Sequence, residues 1–360
     1  MKRRAYLFGA LLLLVVYPLF PFLDLLVKAT TGLALQLDRQ LVNVFILSIL
    51  ALALNLQVGF AGLLQLGLAA FFAIGAFTTG IVTVDKYPFQ LGFWGALFVA
   101  PLVAGLAGLL LGGPTIRLKG DYLAIVTLGF GEVVRVLLIN LENITDGPRS
   151  LNPIAQPWVP PWLSQVMSSP EVLGRERLWT MYYLTLFILC AMVVAFLNLE
   201  RSRQGRAFVA LREDELVSAC MGINPARTKL VAFAVGAAIA GLAGVLYATN
   251  LNTTSEPNTY DFNYSVMVLC CLILGGLGSI RGALLGALVL LSYDSVLSPL
   301  LTQLIQARIG TDNTNVLLTF SNWRWIIFGG ALVLMMRFRP QGLWPALPKE
   351  RVAVPTEGSA

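Results

Sequence analysis

Apolar residues fall along the chain into runs of about 20, separated by short polar punctuation. That is the length an α-helix needs to cross the roughly 30 Å hydrocarbon core of a bilayer. Lipid offers no partner to backbone N–H and C=O groups, so each run must close its hydrogen bonds internally as a helix. Ten spans are predicted by this pattern. They are Ala5 to Val27, which contains Pro18 and Pro21; Leu41 to about Leu56; about Leu68 to Val84; Leu91 to Gly112; and Asp121 to Asn140. The remainder are Trp179 to Asn198, Lys229 to Thr249, Asn263 to Ile280, Ala283 to about Leu301, and Trp323 to Phe338. The pattern is that of an all-α polytopic membrane protein, one transmembrane unit over residues 1–360. Two polar stretches interrupt it. Residues 141–178 form a long loop rich in Pro and Trp, including Trp158 and Trp162, whose indole rings favour the membrane interface. Residues 200–228 form the second, basic and acidic by turns.

Composition agrees with the pattern and narrows the chemistry. The chain is 57% hydrophobic and 12% charged, where soluble domains carry about a quarter charged residues, which excludes an ordinary soluble enzyme. It contains no histidine, so His-based catalysis, His metal ligation and a His pH switch are all absent. Cys190, Cys220, Cys270 and Cys271 lie in apolar runs or in the 200–228 loop, which argues against a disulfide framework. Net charge is +6 without a clustered basic face on a soluble domain, so nucleic acid is not an expected partner.

The positive charge instead reports topology. With ten spans and a cytoplasmic N-terminus, Lys and Arg divide about two to one in favour of the inside, the bias expected of cytoplasmic loops. Both termini are therefore expected in the cytoplasm, with the 200–228 loop and the 339–360 tail inside and the 141–178 loop outside. The first run resembles a secretory signal, but its prolines and the lack of a small-x-small cleavage site favour an uncleaved helix.

The internal loop carries the strongest signal. One helix is predicted from Gln204 to Cys220, with Phe208, Leu211, Leu216 and Cys220 on one side and Arg212, Glu213, Asp214 and Glu215 on the other. It should stop at Gly222, with a turn at Asn224-Pro225. Such a helix can dock into a groove of another protein or lie on lipid headgroups. The acidic residues weigh against the second, because membrane-surface helices usually present Lys and Arg.

Three further features invite a reading. Gly59, Gly62 and Gly67, with Asn55, Gln57 and Gln65, break an apolar stretch. Such a break either faces a watery path, where a half-helix N-terminus could meet a substrate carboxylate, or is packed tightly inside protein. The same choice holds for Gly275, Gly276, Gly278, Gly282 and Gly286, where close helix packing is favoured. Glu132 and Arg135 share a helix face and read as a structural pair or subunit contact, while Asp294 sits near the outer end of its span, within reach of water.

The segment from Gly205 to Gly244 resembles the cytoplasmic coupling loop of the LivH/LivM-like branched-chain amino acid permease family, which serves ATP-binding cassette importers. The resemblance rests on Gly205, Arg206, Ala207, Ala210, Arg212 to Glu215, Met221 to Asn224, Arg227, Lys229, Ala232, Phe233 and Ala240 to Gly244. Blocks at Leu54 to Phe77, Arg117 to Arg135, Leu274 to Gly286 and Arg339 to Leu343 extend it over about four-fifths of the chain, closest to the LivM-like half.

The resemblance implies a type II importer permease in the bacterial inner membrane. Its implied partners are two ATPase subunits carrying ATP-Mg, a second, LivH-like permease and an extracytoplasmic binding protein. The residues implied to couple to the ATPase are Arg212, Glu213, Asp214, Glu215, Met221, Gly222, Ile223 and Asn224; those along the path are Asn55, Gln57, Gly59, Gly62, Gln65 and Gly67. No Gly-Lys pair occurs in the chain, so it has no phosphate-binding loop of its own, and neither catalysis nor a bound cofactor or metal is expected. Gln65 and Leu68 stand where the family commonly has Ser and His, and Thr145 to Ser150 departs from its T-G-G-P-N-G loop. The cargo is thus left between neutral or branched-chain amino acids and urea or short-chain amides. A stand-alone secondary transporter would need ion-coupling residues of its own.

Overall fold

The computed structural model describes residues 37–88, 90–116, 118, 120–157, 176–298, 323–339 and 341–344. The predicted first span, Trp158 and Trp162, and the end of the tail lie outside the described residues. Twelve α-helices account for most of the rest: α1 (Leu37–Leu54), α2 (Leu68–Thr83), α3 (Gly92–Thr115), α4 (Asp121–Asn140), α5 (Glu142–Thr145), α6 (Glu176–Arg201), α7 (Arg203–Glu213), α8 (Glu215–Cys220), α9 (Pro225–Leu251), α10 (Phe262–Gly275), α11 (Ile280–Ser292) and α12 (Arg324–Phe338). No strand occurs among the described residues. Five helices are long and apolar enough to cross a bilayer: α1 with its extension to Phe60, α3, α4, α6 and α9; α2, α10 and α11 are shorter and apolar. This is a multi-pass, all-α membrane architecture.

Caps set several of the helix ends. Asn224 accepts a hydrogen bond from Arg227 N and Pro225 occupies the first helical position, so α9 begins four residues before the predicted span. Asp261 caps α10 through Tyr264 N, and Ser279 caps α11 through Gly282 N. The predicted span to Ile280 ends early, at Gly275, because Gly276 and Gly278 take positive φ values of 123° and 77°. The next span likewise leaves regular α-helix at Ser292 and passes into a π-helical turn over Tyr293–Leu297.

α1 and α9 form the interior: 83% and 61% of their most apolar windows are buried, against 22% for α4. α4 turns Tyr122, Ile125 and Val133 outward, the lipid-facing position expected of an apolar helix with few protein neighbours. Lipid is as apolar as leucine, so helices associate here through close packing and internal polar bonds. Small residues supply the first where α2, α3 and α9 cross. A Cβ on Gly75 would lie 2.2 Å from Gly241 O, one on Gly244 would lie 2.3 Å from Phe72 O, and one on Gly241 would lie 2.5 Å from Ala104 Cβ. The hydroxyls of Ser48, Thr79, Thr83 and Thr185 bond back to the carbonyl four residues earlier and so remain satisfied inside the bundle.

The loop after α4 is fastened to the far end of α9. Leu151 N donates to Thr254 Oγ1 (2.9 Å) and Thr254 N donates to Leu151 O (3.1 Å). Lys86 pairs with Asp146, and that hydrogen bond raises the Lys86 pKa above its ordinary value.

Candidate functional site

The broken segment after α1 is built by a change of helix type. At Asn55 the chain widens into a π-helix that runs to Phe60, then continues without regular structure to α2. Gly62, at φ 70°, makes the turn that a residue with a Cβ would resist. Asn55, Gln57 and Gln65 are all fully or almost fully buried. A Cβ on Gly59 would meet Asn55 Oδ1 at 2.0 Å and Gly278 N at 2.6 Å, and one on Gly67 would meet Thr127 O at 2.1 Å. In this conformation Asn55, Gln57, Gly59, Gln65 and Gly67 are packed in protein, while Gly62 is exposed.

The start of α2 is tied into the bundle as well. α2 does start in mid-chain after the break, but Ala69 N donates to Ser265 Oγ (3.0 Å) and Leu66 N donates to Thr127 Oγ1 (3.1 Å). Those N–H groups are committed to the protein's own hydroxyls and are not free for a substrate carboxylate. Four side-chain atoms in the segment are nonetheless buried without a partner: Asn55 Nδ2, Gln57 Oε1, and both Nε2 and Oε1 of Gln65. Such orphans are costly, so this is a region held in place by its surroundings.

The loop between α6 and α9 differs from the single predicted helix. Asp214 is extended, at φ −155° and ψ 120°, and divides the segment into α7 and α8. Its carboxylate accepts from Leu216 N and Val217 N, so capping a new helix outcompetes continuing the old one. Gly222, at φ 83°, ends the segment, and Asn224 opens α9.

Each half faces a different way. From α7, Arg212 Nη1 donates to Gly59 O at 2.5 Å, at the end of the π-helix. Nearby, Gly278 N donates to Asn55 Oδ1 at 2.9 Å, which brings in the α10–α11 turn. The tail joins there too: Leu343 N and Trp344 N donate to the carbonyls of Leu274 and Gly275 at 2.9 and 3.0 Å. α7, the broken segment, the glycine turn and the tail thus meet at one junction.

α8 looks outward. Leu216, Val217 and Met221 are 73%, 55% and 79% exposed, and Glu213 and Asp214 are exposed beside them. Beneath, Glu215 forms an ion pair at 2.9 Å with Lys229, whose side chain is only 5% exposed and also donates to Ile116 O at 3.2 Å. That pair ties α8 to the bases of α9 and α3. Glu132 and Arg135 pair through two hydrogen bonds from Nε at 3.0 and 3.1 Å, and Arg135 Nη1 reaches Asn258 Oδ1 at 2.6 Å. Asp294 does not simply reach water: it pairs at 3.0 Å with Arg324, thirty residues on. The positions Thr127, Lys229, Ser265 and Arg324 carried no site reading in the sequence. Their partners are distant in the chain and local pattern does not reveal them.

The comparisons decide the family. Residues 36–336 match the model for the branched-chain amino acid transport system / permease component. The chain belongs to this family. It is 35% identical to the high-affinity branched-chain amino acid transport system permease protein LivM of Escherichia coli (strain K12), over 96% of this chain and 75% of that protein. It is 25% identical to the probable branched-chain amino acid transport permease protein LivM of Methanocaldococcus jannaschii, over 83% and 90%. The permease protein LivH of Salmonella typhimurium is 30% identical over 43% of this chain and 48% of its own. No solved structure matches the chain. Members of the family are permease components of a transport system, not enzymes in themselves. The outward apolar helices are what such a component presents to lipid.

Proposed function

We propose that this chain is the membrane permease of an ATP-driven importer for branched-chain or other neutral amino acids, in the bacterial inner membrane with both termini in the cytoplasm. Its partners are two ATPase subunits that bind ATP-Mg, a LivH-like sister permease and an extracytoplasmic binding protein. The observation that carries this reading is the projecting face of α8. Leu216, Val217 and Met221 expose apolar surface beside acidic residues, on a helix anchored by the buried Lys229. An apolar helix face in this setting suits a groove on a soluble partner.

In this mechanism the ATPase groove grips the stretch from Glu213 to Asn224, and closure of the ATPase on ATP displaces it. Arg212 lies at the root of that stretch and holds Gly59, so the displacement acts directly on the π-helix and the broken segment. Asn55, Gln57 and Gln65, buried and incompletely paired, then gain polar partners when the segment opens to water or substrate. We assign alternating access to this segment because its buried polar atoms lack partners in this conformation.

The test is uptake of radiolabelled leucine by cells that depend on this chain, with unlabelled leucine, alanine, glutamine and urea as competitors, and purification of the tagged chain. The expected result is competition by neutral amino acids and recovery of an ATPase with the chain. Uptake that proceeds in liposomes from this chain alone, without ATP, would contradict the proposal.

A further inference from the structure

At the end of the bundle opposite α7 and α8 lies a cavity of about 400 Å³, within the roughly 300–1,000 Å³ range of small-molecule sites. Its walls come from five helices, with Tyr247 contributed by α9 and Leu291 by α11. Asn43, Ile46 and Leu47 share one face of α1 at helical spacing, and Tyr264 and Met267 share a face of α10. Asp294 arrives from the π-helical turn after α11, and Arg324 and Trp325 from the start of α12.

The lining is chemically divided. Ile46, Leu47 and Met267 offer aliphatic surface. Asp294 and Arg324 offer one charge of each sign, joined by a single hydrogen bond of 3.0 Å from Nη1 to Oδ2. The pair is partly accessible, at 33% for Arg324 and 23% for Asp294. The Arg324 guanidinium packs over the Trp325 ring at 5.1 Å, which fixes its plane, and its Nε has no hydrogen-bond partner. A guanidinium has five N–H donors in a planar fork suited to a carboxylate, so this one has capacity to spare. A neutral or singly charged ligand would leave one member of the pair unmatched once it entered between them. A zwitterion with an aliphatic tail matches both charges and the apolar wall.

Building on the importer reading, we propose that this cavity is a receiving site for a zwitterionic aliphatic amino acid, with Arg324 holding the α-carboxylate and Asp294 the α-ammonium. The ligand inserts into the existing ion pair, so the two protein charges remain compensated throughout, and Ile46, Leu47 and Met267 contact its side chain. The site places substrate specificity in the permease itself. Asp261, also part of the wall, caps α10: its two oxygens accept from Tyr264 N and Asn263 Nδ2.

The test uses the assembled importer in lipid nanodiscs without binding protein. Equilibrium binding is measured with radiolabelled L-leucine, and with 3-methylbutylamine and 4-methylpentanoate as probes lacking one charge each. L-leucine should bind and neither probe should displace it at equal concentration. Arg324→Gln and Asp294→Asn should each weaken leucine binding at least about tenfold, the loss expected for a charge-assisted hydrogen bond, while Arg324→Lys restores part of it. In the wild type, a photoreactive leucine carrying a diazirine should label the α1 segment around Asn43 to Leu47 or the α10 segment around Tyr264 to Met267. Labelling elsewhere, equal displacement by the one-charge probes, absence of leucine binding, or unchanged affinity in both variants would overturn the site. If the variants import leucine normally, the receiving site falls and the importer reading stands. If the wild-type assembly imports no neutral amino acid, the importer reading itself falls.

Discussion

Gly75 sets the distance between α2 and α9. A Cβ there would lie 2.2 Å from the Gly241 carbonyl oxygen and 2.5 Å from Gly241 Cα, both backbone atoms in a buried helix. Ordinary contact begins near 3.4 Å, so Gly75→Ala requires the two helices to separate by about 1 Å at their crossing. The same crossing contains Gly244 against Phe72 and Gly241 against Ala104, so the separation propagates to α3 and loosens both the α2–α9 and the α9–α3 interfaces. Overpacking of this kind costs about 1–3 kcal/mol, and the backbone clash places Gly75→Ala at about 3 kcal/mol. Gly129 is the control: it lies in α4, and a Cβ there meets nothing within 4 Å. Gly129→Ala removes the glycine penalty in a helix and should stabilise by up to about 1 kcal/mol. The assay is heat-dependent labelling by a thiol-reactive fluorophore of detergent-solubilised protein. Cys270 and Cys271 are buried and report unfolding, while the exposed Cys220 supplies a constant baseline. Because membrane proteins commonly unfold irreversibly, variants are compared at one scan rate. Gly75→Ala should lower the midpoint by several degrees and Gly129→Ala should leave it unchanged or raise it. Equal midpoints for Gly75→Ala and the wild type would refute the packing argument.

Three other outcomes are expected. Leu216→Glu combined with Met221→Glu should leave the thermal midpoint and membrane insertion unchanged, because both side chains project into solvent, yet should eliminate recovery of the ATPase; undiminished recovery would contradict the docking face. Glu215→Leu should destabilise by about 3–5 kcal/mol by stranding the buried Lys229 charge, and adding Lys229→Met should recover most of that loss, a coupling read from a double-mutant cycle of thermal midpoints. With no histidine in the chain, the thermal midpoint should be flat from pH 6 to 8; the raised Lys86 pKa gives a contribution that is complete below its ordinary value of 10.5 and fades only as pH rises through the higher folded value, so any loss through this pair appears in strongly alkaline buffer.

Five of the ten predicted spans were legible as long apolar runs, and the helix from Asp121 to Asn140 matches its prediction at both ends. Other ends shifted where caps intervened. Asp214 sits in an unbroken run of helix-compatible polar residues, and only its capping of Leu216 and Val217 shows that the segment is two helices. The glycines around Gly59 announced a break, but whether a break faces water or protein depends on neighbours from Thr127, Ser265 and Gly278, which no local pattern exposes. Asp294 likewise looked solitary because its partner follows thirty residues later. Arg212 was readable as a charge on a loop; its hold on Gly59 required the fold to bring α7 beneath the π-helix.

The contact at α8 bears most directly on the account. A photoreactive benzophenone amino acid placed at Met221, in the importer assembled in the membrane, reports what that side chain touches. The account predicts a covalent adduct with the ATPase subunit, strengthened or weakened by ATP. Adducts with lipid alone, in the presence of an ATPase that still supports leucine uptake, would contradict it.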